Sequence, residues 1–236
     1  MERNKLQSAL VSHHSRDLSK SEYVLRGEAV GLFSAGRYHE ASERYRMILA
    51  LQPHNADTQH RLAVCLNSDG RPAEAIKYFQ AALDLDLDRV ECFCDLGVAY
   101  LDTGQHEKAR DILLQGVTRY PDNAPCHYNL ANLLLARGDF ERGWQEYEWR
   151  SSLPDGRVRN VPLPTWKGES LRDTHLLVFA EQGVGDEVMF TSCLPDLLQQ
   201  GTSSIHLECD PRLQALFARS FPEVFVTGVG RHEKTD

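Results

Sequence analysis

Four glycines, Gly36, Gly70, Gly104 and Gly138, follow one another at a constant interval of 34 residues. That period belongs to two-helix repeats, in which no pair of helices can bury its own apolar face and each stacks on its neighbours. Other columns keep the same register. Ala41, Ala75 and Ala109 come five residues after the glycine, with Gly143 in the fourth copy, and Tyr45, Phe79, Leu113 and Tyr147 come nine after it. Small residues let paired helices approach, and large ones fill the gap between pairs. Leu62, Leu96 and Leu130, followed by Ala63, Gly97 and Ala131, repeat this logic on the first helix of each pair. Pro53 and Pro121 end second helices, since proline has no amide to donate. The spacing predicts four repeats, 22–55, 56–89, 90–123 and 124–150, after a leader over 1–21. Ser19 and Glu22 have the spacing of a capping box at the first helix start. The adjacent His13 and His14 read as solvated leader residues.

These columns resemble the tetratricopeptide repeat family over about Glu22 to Arg150. Glu28, Pro72, Leu87 and His106 depart from its usual residue types without disturbing the register. In that family the first helices line a concave groove used for partners. The resemblance therefore implies that Tyr23, Arg26, Val30, Asp57, His60, Val64, Glu91, Cys94, Val98, Tyr128 and Asn132 face a protein or peptide partner. This groove is mixed and partly apolar. The lysine, arginine and asparagine set with which some members clamp a carboxylate is mostly absent. The asparagine ladder of the O-linked N-acetylglucosamine transferase superhelix survives only at Asn129. The expected occupant is an extended peptide with apolar anchors, or another part of the same protein.

The fourth repeat runs into Gly143 to Arg150 with Trp144 and Trp149 in its second helix, which reads as a capping repeat. From 151 to 174 the chain carries Pro154, Pro162 and Pro164 with no periodicity, the composition of a linker. Trp166 is expected to anchor it to a neighbour.

A different rhythm begins at His175. The apolar run Leu176 to Ala180 predicts a strand buried on both faces. Glu181 to Asp186 form a glycine turn, and Val188, Met189, Phe190, Cys193, Leu194, Leu197 and Leu198 recur at helical spacing. Pro195 predicts a kink or restart near Ser192. Ile205 to Cys209 read as a second strand, Asp210 and Pro211 as an N-cap with proline after it, Leu213, Leu216, Phe217 and Phe221 as one helix face, and Val224 to Val226 as a third strand. The expected fold class is α plus α/β: a helical repeat solenoid followed by a partial Rossmann-like β-α-β-α-β unit over 175–236.

Composition narrows the function classes. A net charge of −8 and a pI near 5.7, without a basic stripe, exclude an ordinary nucleic-acid binder. No apolar run reaches the length of a membrane span or the core of a signal peptide. Cys65, Cys92, Cys94, Cys126, Cys193 and Cys209 show neither disulfide-framework nor zinc spacing, so the expectation is six reduced thiols in a cytoplasmic protein. Cys92 and Cys94 point to different helix faces and cannot chelate one metal, and Cys65 and Cys193 read as small core residues.

Three stretches, FERGWQEYEWR (140–150), PTWKGESL (164–171) and AEQGVGDEVMFTSCLP (180–195), resemble bacterial proteins in which tetratricopeptide repeats precede a glycosyltransferase of the GT-B fold. The last also resembles the G-D motif of lipopolysaccharide heptosyltransferases. That resemblance implies Asp186 as a candidate general base for an acceptor hydroxyl, beside a substrate turn of Gln182, Gly183 and Gly185. Asp186 also has an ordinary role open to it as an N-cap. No bound cofactor is expected. Gly183 and Gly185 lack the third glycine of the dinucleotide fingerprint, and Glu181, Asp186 and Glu187 repel phosphate at a helix start. A sugar nucleotide would enter only as donor substrate. About 60 residues follow the linker, against the two Rossmann-like domains of a GT-B enzyme, so the donor-binding half is expected to lie outside this chain. Two readings stand: an interaction module carrying an incomplete transferase domain, or a piece of an active glycosyltransferase.

Overall fold

The computed structural model describes residues 21–86, 88–153, 161–181 and 183–230. Ser19 of the expected capping box, His13 and His14, Leu87, Pro154 and Gln182 lie outside the described residues. The chain forms two compact units, Met1–Gly156 and Arg157–Asp236.

The first unit is a series of helix pairs. Helix α1 spans 21–34, α2 Tyr38–Leu51, α3 Ala56–Ser68, α4 Pro72–Leu85, α5 Val90–Asp102, α6 His106–Arg119, α7 Ala124–Ala136 and α8 Phe140–Tyr147, followed by a 3-10 turn over Glu148–Ser152. The glycine column closes each pair. Gly36, Gly70, Gly104 and Gly138 sit at φ of 74°, 74°, 71° and 83°, the left-handed region that a residue with a Cβ enters at a cost. The amide that follows each one reaches back to a carbonyl near the helix end: Arg37 to Leu32 at 2.9 Å, Arg71 to Leu66 at 2.9 Å, Gln105 to Tyr100 at 2.8 Å and Asp139 to Leu134 at 3.0 Å. This is the Schellman closure, which satisfies carbonyls left open at a helix terminus. The next helix starts at once, with Pro72 tolerated in the first turn of α4 because its missing amide had no partner there. At the opposite end of the pairs, α2 stops at Leu51 and α6 at Arg119, two residues before Pro53 and Pro121. Asn55 and Asn123 then cap α3 and α7, accepting hydrogen bonds from Thr58 N at 2.9 Å and Cys126 N at 3.0 Å.

One core runs along the array. Ala41, Ala75 and Ala109 are fully buried, and Tyr45, Phe79 and Leu113 fill the space beside them. Where glycine replaces alanine a neighbour has taken the room. A Cβ on Gly143 would lie 2.7 Å from Leu135 Cδ2, and one on Gly97 2.6 Å from Leu113 Cδ2. The last repeat closes differently, with the Trp149 ring stacked on His127 at 4.3 Å between centroids.

The second unit holds a three-stranded parallel sheet in the order β1 (His175–Phe179), β2 (Ser204–Cys209), β3 (Phe225–Gly228). Leu176 pairs with Ile205, Val178 with Leu207, and Leu207 with Val226. These residues share one face, and on it pack Leu194, Leu197 and Leu198 of α10 (Leu194–Gln199) and Phe217 of α11 (Gln214–Ser220). Both connecting helices therefore cover the same side. That corrects the expectation of a first strand buried on both faces: Leu176 to Phe179 are only half-buried and His175 is exposed. The first connection breaks where Pro195 requires it, into α9 (Val184–Phe190), a 3-10 turn (Thr191–Cys193) and α10. The break rotates the apolar pattern. Leu194 enters the core while Val188, Met189 and Phe190 stay exposed. The segment before β1 carries no regular element over 161–174. Within it the Trp166 indole donates to Glu169 O at 2.7 Å, tying the segment to itself. Among the described residues no helix is long and apolar enough to cross a membrane.

Gly70→Ala keeps every contact and forces an L-residue into the left-handed turn, so it should lower stability by about 1 kcal/mol in urea unfolding. Gly97→Ala has ordinary helical backbone but meets buried Leu113, and should cost on the order of 1–3 kcal/mol.

Candidate functional site

The first helices of successive repeats converge on a cleft of about 300 Å³. Val30 on α1, Asp57, His60 and Val64 on α3, and Glu91 at the start of α5 line it, all of them expected from the sequence. Sequence reasoning missed Phe33, Ser34, Tyr45, Arg61, Cys65 and Arg89, which complete the wall. Tyr45 belongs to a second helix, α2, and is buried where it lines the cleft. A signal for Arg61 was available, because it stands one helical turn after Asp57. Val30 keeps 46% of its surface exposed and Val64 is half-buried, so the cleft offers apolar contact as well as charge.

Asp57 organises the polar side. Arg26 from α1 donates Nη1 to its carboxylate, Arg61 donates Nε at 2.9 Å, and Arg89, from the turn before α5, donates Nη1 at 3.4 Å. Burial opposes a charge at Asp57, but the hydrogen bonds from Arg26 and Arg61 outweigh it and hold the carboxyl below the usual aspartate range. One carboxylate thus ties α1, α3 and the turn before α5 together. Arg26 also reaches Glu22 at 3.0 Å, so this predicted groove residue is held by its own protein. Arg89 Nε is buried without a hydrogen-bond acceptor. His60 Nε2 meets Asp95 at 2.7 Å while its ring lies 5.7 Å from Phe79.

The other expected groove residues fall into different surroundings. Tyr23 is 80% exposed at the start of α1. Val98 is half-buried, Tyr128 packs its ring 5.7 Å from Tyr147, and Asn132 is exposed. Cys94 is a correction. Its sulfur is bonded to Cys126, and with 6% of its surface exposed it presents no thiol to a ligand. The expectation of six reduced cysteines fails at the same pair. The pair was not legible because its separation of 32 residues is out of step with the repeat. Helices α5 and α7 bring the two together. Cys65, Cys92, Cys193 and Cys209 remain free, and Cys193 is exposed rather than a core residue.

In the second unit the glycine turn precedes α9. Gly183 is the N-cap and Asp186 stands in the first turn, where its Oδ2 accepts from Gly183 N at 3.0 Å. The expected N-cap role therefore becomes the reach-back half of a cap, one turn further on. Asp186 is half-buried and Gly185 exposed, with nothing within 4 Å of a Cβ built on Gly185. Glu187 is buried, and its Oε2 accepts from Asp210 N at 2.8 Å, joining α9 to the end of β2. Asp210 in turn accepts from Arg212 N at 3.0 Å and caps a turn, while α11 begins later, at Gln214. Gln182, the remaining turn residue, lies outside the described residues. Among the described residues no three histidines, cysteines or acids are grouped to hold a metal.

Family models described as tetratricopeptide repeat match residues 54–122 and 112–145, and the helical array is a run of such repeats. Protein FlbA of Caulobacter vibrioides is 33% identical over 206 residues, which cover 84% of this chain and 35% of that protein. An alignment of that length exceeds the whole of the first unit and runs into the second. DnaJ homolog subfamily C member 3 of Rattus norvegicus is 29% identical over 100 residues, 41% of this chain and 20% of that protein. The chain thus spans about a third or less of the length of these relatives. Among solved structures, MamA superposes with a TM-score of 0.52 at 21% identity, covering 57% of this chain and 73% of that one. The Pseudomonas aeruginosa pilF structure does so with 0.50 at 21% identity, covering 56% and 60%. These two show the fold.

Asp57→Asn should lower stability at pH 7 by about 1–3 kcal/mol, because Arg26 and Arg61 lose a half-buried charged acceptor. The folded carboxyl lies below the ordinary aspartate value of 3.8, so as pH falls the unfolded chain binds its proton first. The gap between wild type and variant is fully present above that value and closes as pH drops through the lower, folded value. Urea midpoints from pH 7 to pH 2.5 measure it.

Proposed function

We propose that this chain is a peptide- or protein-recognition array joined to part of a GT-B type glycosyltransferase, with the cleft between its first helices as the working surface. The observation that carries the reading is the convergence of Val30, Asp57, His60, Val64 and Glu91, from three successive repeats, on one cleft. Half-open valines beside Arg61 and Glu91 suit an extended segment that seats apolar side chains and pairs its polar groups along the rim. A protein partner fits better than nucleic acid, given the net charge of −8. We place the protein in the cytoplasm, in keeping with the buried free thiols of Cys65, Cys92 and Cys209.

The transferase part is proposed on three supports. The parallel order β1-β2-β3 is that of one half of a doubly wound, Rossmann-like sheet. The glycine turn and Asp186 stand at the carboxyl end of β1, where such sheets place their ligands. The stretch 180–195 resembles the G-D motif of lipopolysaccharide heptosyltransferases. A second reading follows from the same turn, that of a glycosyltransferase whose sugar-nucleotide site lies mainly in further chain and whose candidate base is Asp186. The open space over Gly185 favours it, since a ligand could approach the backbone there.

Selection from a displayed peptide library on the 236-residue chain should yield peptides that bind wild type at least about tenfold more tightly than Val30→Asp or Val64→Asp. Equal affinities would remove the cleft from the reading. Titration with UDP- and ADP-sugars to millimolar concentration, followed by amide shifts of Gly183 to Glu187, separates the two roles of the second unit. The module reading expects no shift, and saturable shifts lost in Asp186→Asn would instead establish the enzyme reading.

A further inference from the structure

We propose that Cys94 and Cys126 form a reversible dithiol–disulfide couple that locks the third repeat to the fourth and so sets the shape of the groove's far half. The two lie on α5 and α7, the first helices of adjacent repeats, with Cα atoms 5.0 Å apart. The bond closes a loop that contains the whole of α6. Of the junctions between consecutive helices from α2 to α8, that between α6 and α7 is the thinnest. A Cβ on Gly116 of α6 would lie 3.0 Å from Phe93 Cβ and 3.1 Å from Cys126 Sγ, so the sulfur occupies room that a glycine leaves. The bond between α5 and α7 therefore adds a covalent tie to the pair of repeats whose α6–α7 junction is thinnest.

The remaining cysteines separate this pair from the framework of a secreted domain. Four stay free, and three of those are buried. Burial pushes the Cys65 and Cys92 thiols up to about 12 and raises that of Cys209, which leaves them protonated and inert to exchange. Where one bonded pair sits among unreactive thiols, and the protein lies in the cytoplasm as proposed above, the bond is expected to open and close.

Access gives the order of events. Cys94 retains 6% exposure and Cys126 none, so a low-molecular-weight disulfide reaches Cys94 first. The Cys94 thiolate attacks one of its sulfurs and expels one thiolate. The Cys126 thiolate then attacks Cys94 Sγ in the mixed disulfide and expels the second. Two protein thiols are oxidised, the external disulfide is reduced to two thiols, and the two protons pass to those thiols. Excess external thiol reverses both steps. The effect on a bound peptide rests on the groove reading above, whereas the couple itself does not.

The test equilibrates the 236-residue chain in buffers of graded glutathione to glutathione-disulfide ratio, quenches with acid, alkylates, and maps every cysteine by mass spectrometry. Cys94 and Cys126 should convert together across the series while Cys65, Cys92 and Cys209 stay alkylatable after unfolding. The thermal midpoint should be higher in the oxidised protein by roughly 5–15 °C. Cys94→Ser should abolish that dependence on the ratio. Free thiols at Cys94 and Cys126 under the most oxidising ratio would overturn the proposal, as would a bond that survives every ratio or a ratio-dependent midpoint in Cys94→Ser. No peptide takes part, so the result is independent of whether the cleft binds one, and wild type alone decides if the variant fails to fold.

Discussion

Everything in the first unit depends on a backbone reversal that an L side chain resists. A helix pair can stack on its neighbour only if the chain leaves the first helix sharply and enters the second within a few residues. The left-handed glycines at 36, 70, 104 and 138 perform that reversal, and each returns the next amide to a carbonyl of the helix just ended. With the reversal repeated, Ala41, Ala75 and Ala109 reach the same depth in every copy, and a single core runs from repeat to repeat. The array is then a sum of nearest-neighbour contacts, so its weak points are local and identifiable.

Those contacts compete with ligand binding for the same side chains. The groove predicted from the repeat register holds Arg26, Asp57, His60 and Cys94, and each has an internal partner. Asp57 receives three arginines, from α1, α3 and the turn before α5, so its first role is to hold neighbouring first helices in register. The side chains with surface to offer include Tyr23, Val30, Val64, Glu91 and Asn132. A partner recognised here meets a wall already knitted by ion pairs, and apolar contacts between them supply the adaptable part of its binding.

The repeat architecture was legible because a period needs no knowledge of three-dimensional contacts. Glycine, alanine and aromatic columns each report one backbone demand, and four copies report it together. What the period could not carry is contact between residues out of step with it. Cys94 and Cys126 are two residues short of a full repeat, and Arg89 enters the cleft from a turn, where no helical pattern applies. In the second unit the strand and helix order was readable from apolar runs, and the break at Pro195 from its missing amide. The burial of those runs was not. Val188, Met189 and Phe190 look like core in sequence, yet the break at Thr191–Cys193 hands the buried face to Leu194, Leu197 and Leu198.

Asp186 shows how a structural role constrains a chemical one. Its Oδ2 accepts from Gly183 N, so one oxygen is committed to starting α9. A base needs only one oxygen aimed at an acceptor hydroxyl, and a carboxylate anchored through the other is better oriented than a free one. Glu187 completes the arrangement by holding Asp210 N at the end of β2, which fixes the helix start relative to the strand that follows. The same acidic pair keeps phosphate away from this helix terminus. On the glycosyltransferase reading proposed above, a donor phosphate would therefore have to be bound from elsewhere, which leaves the turn to the acceptor.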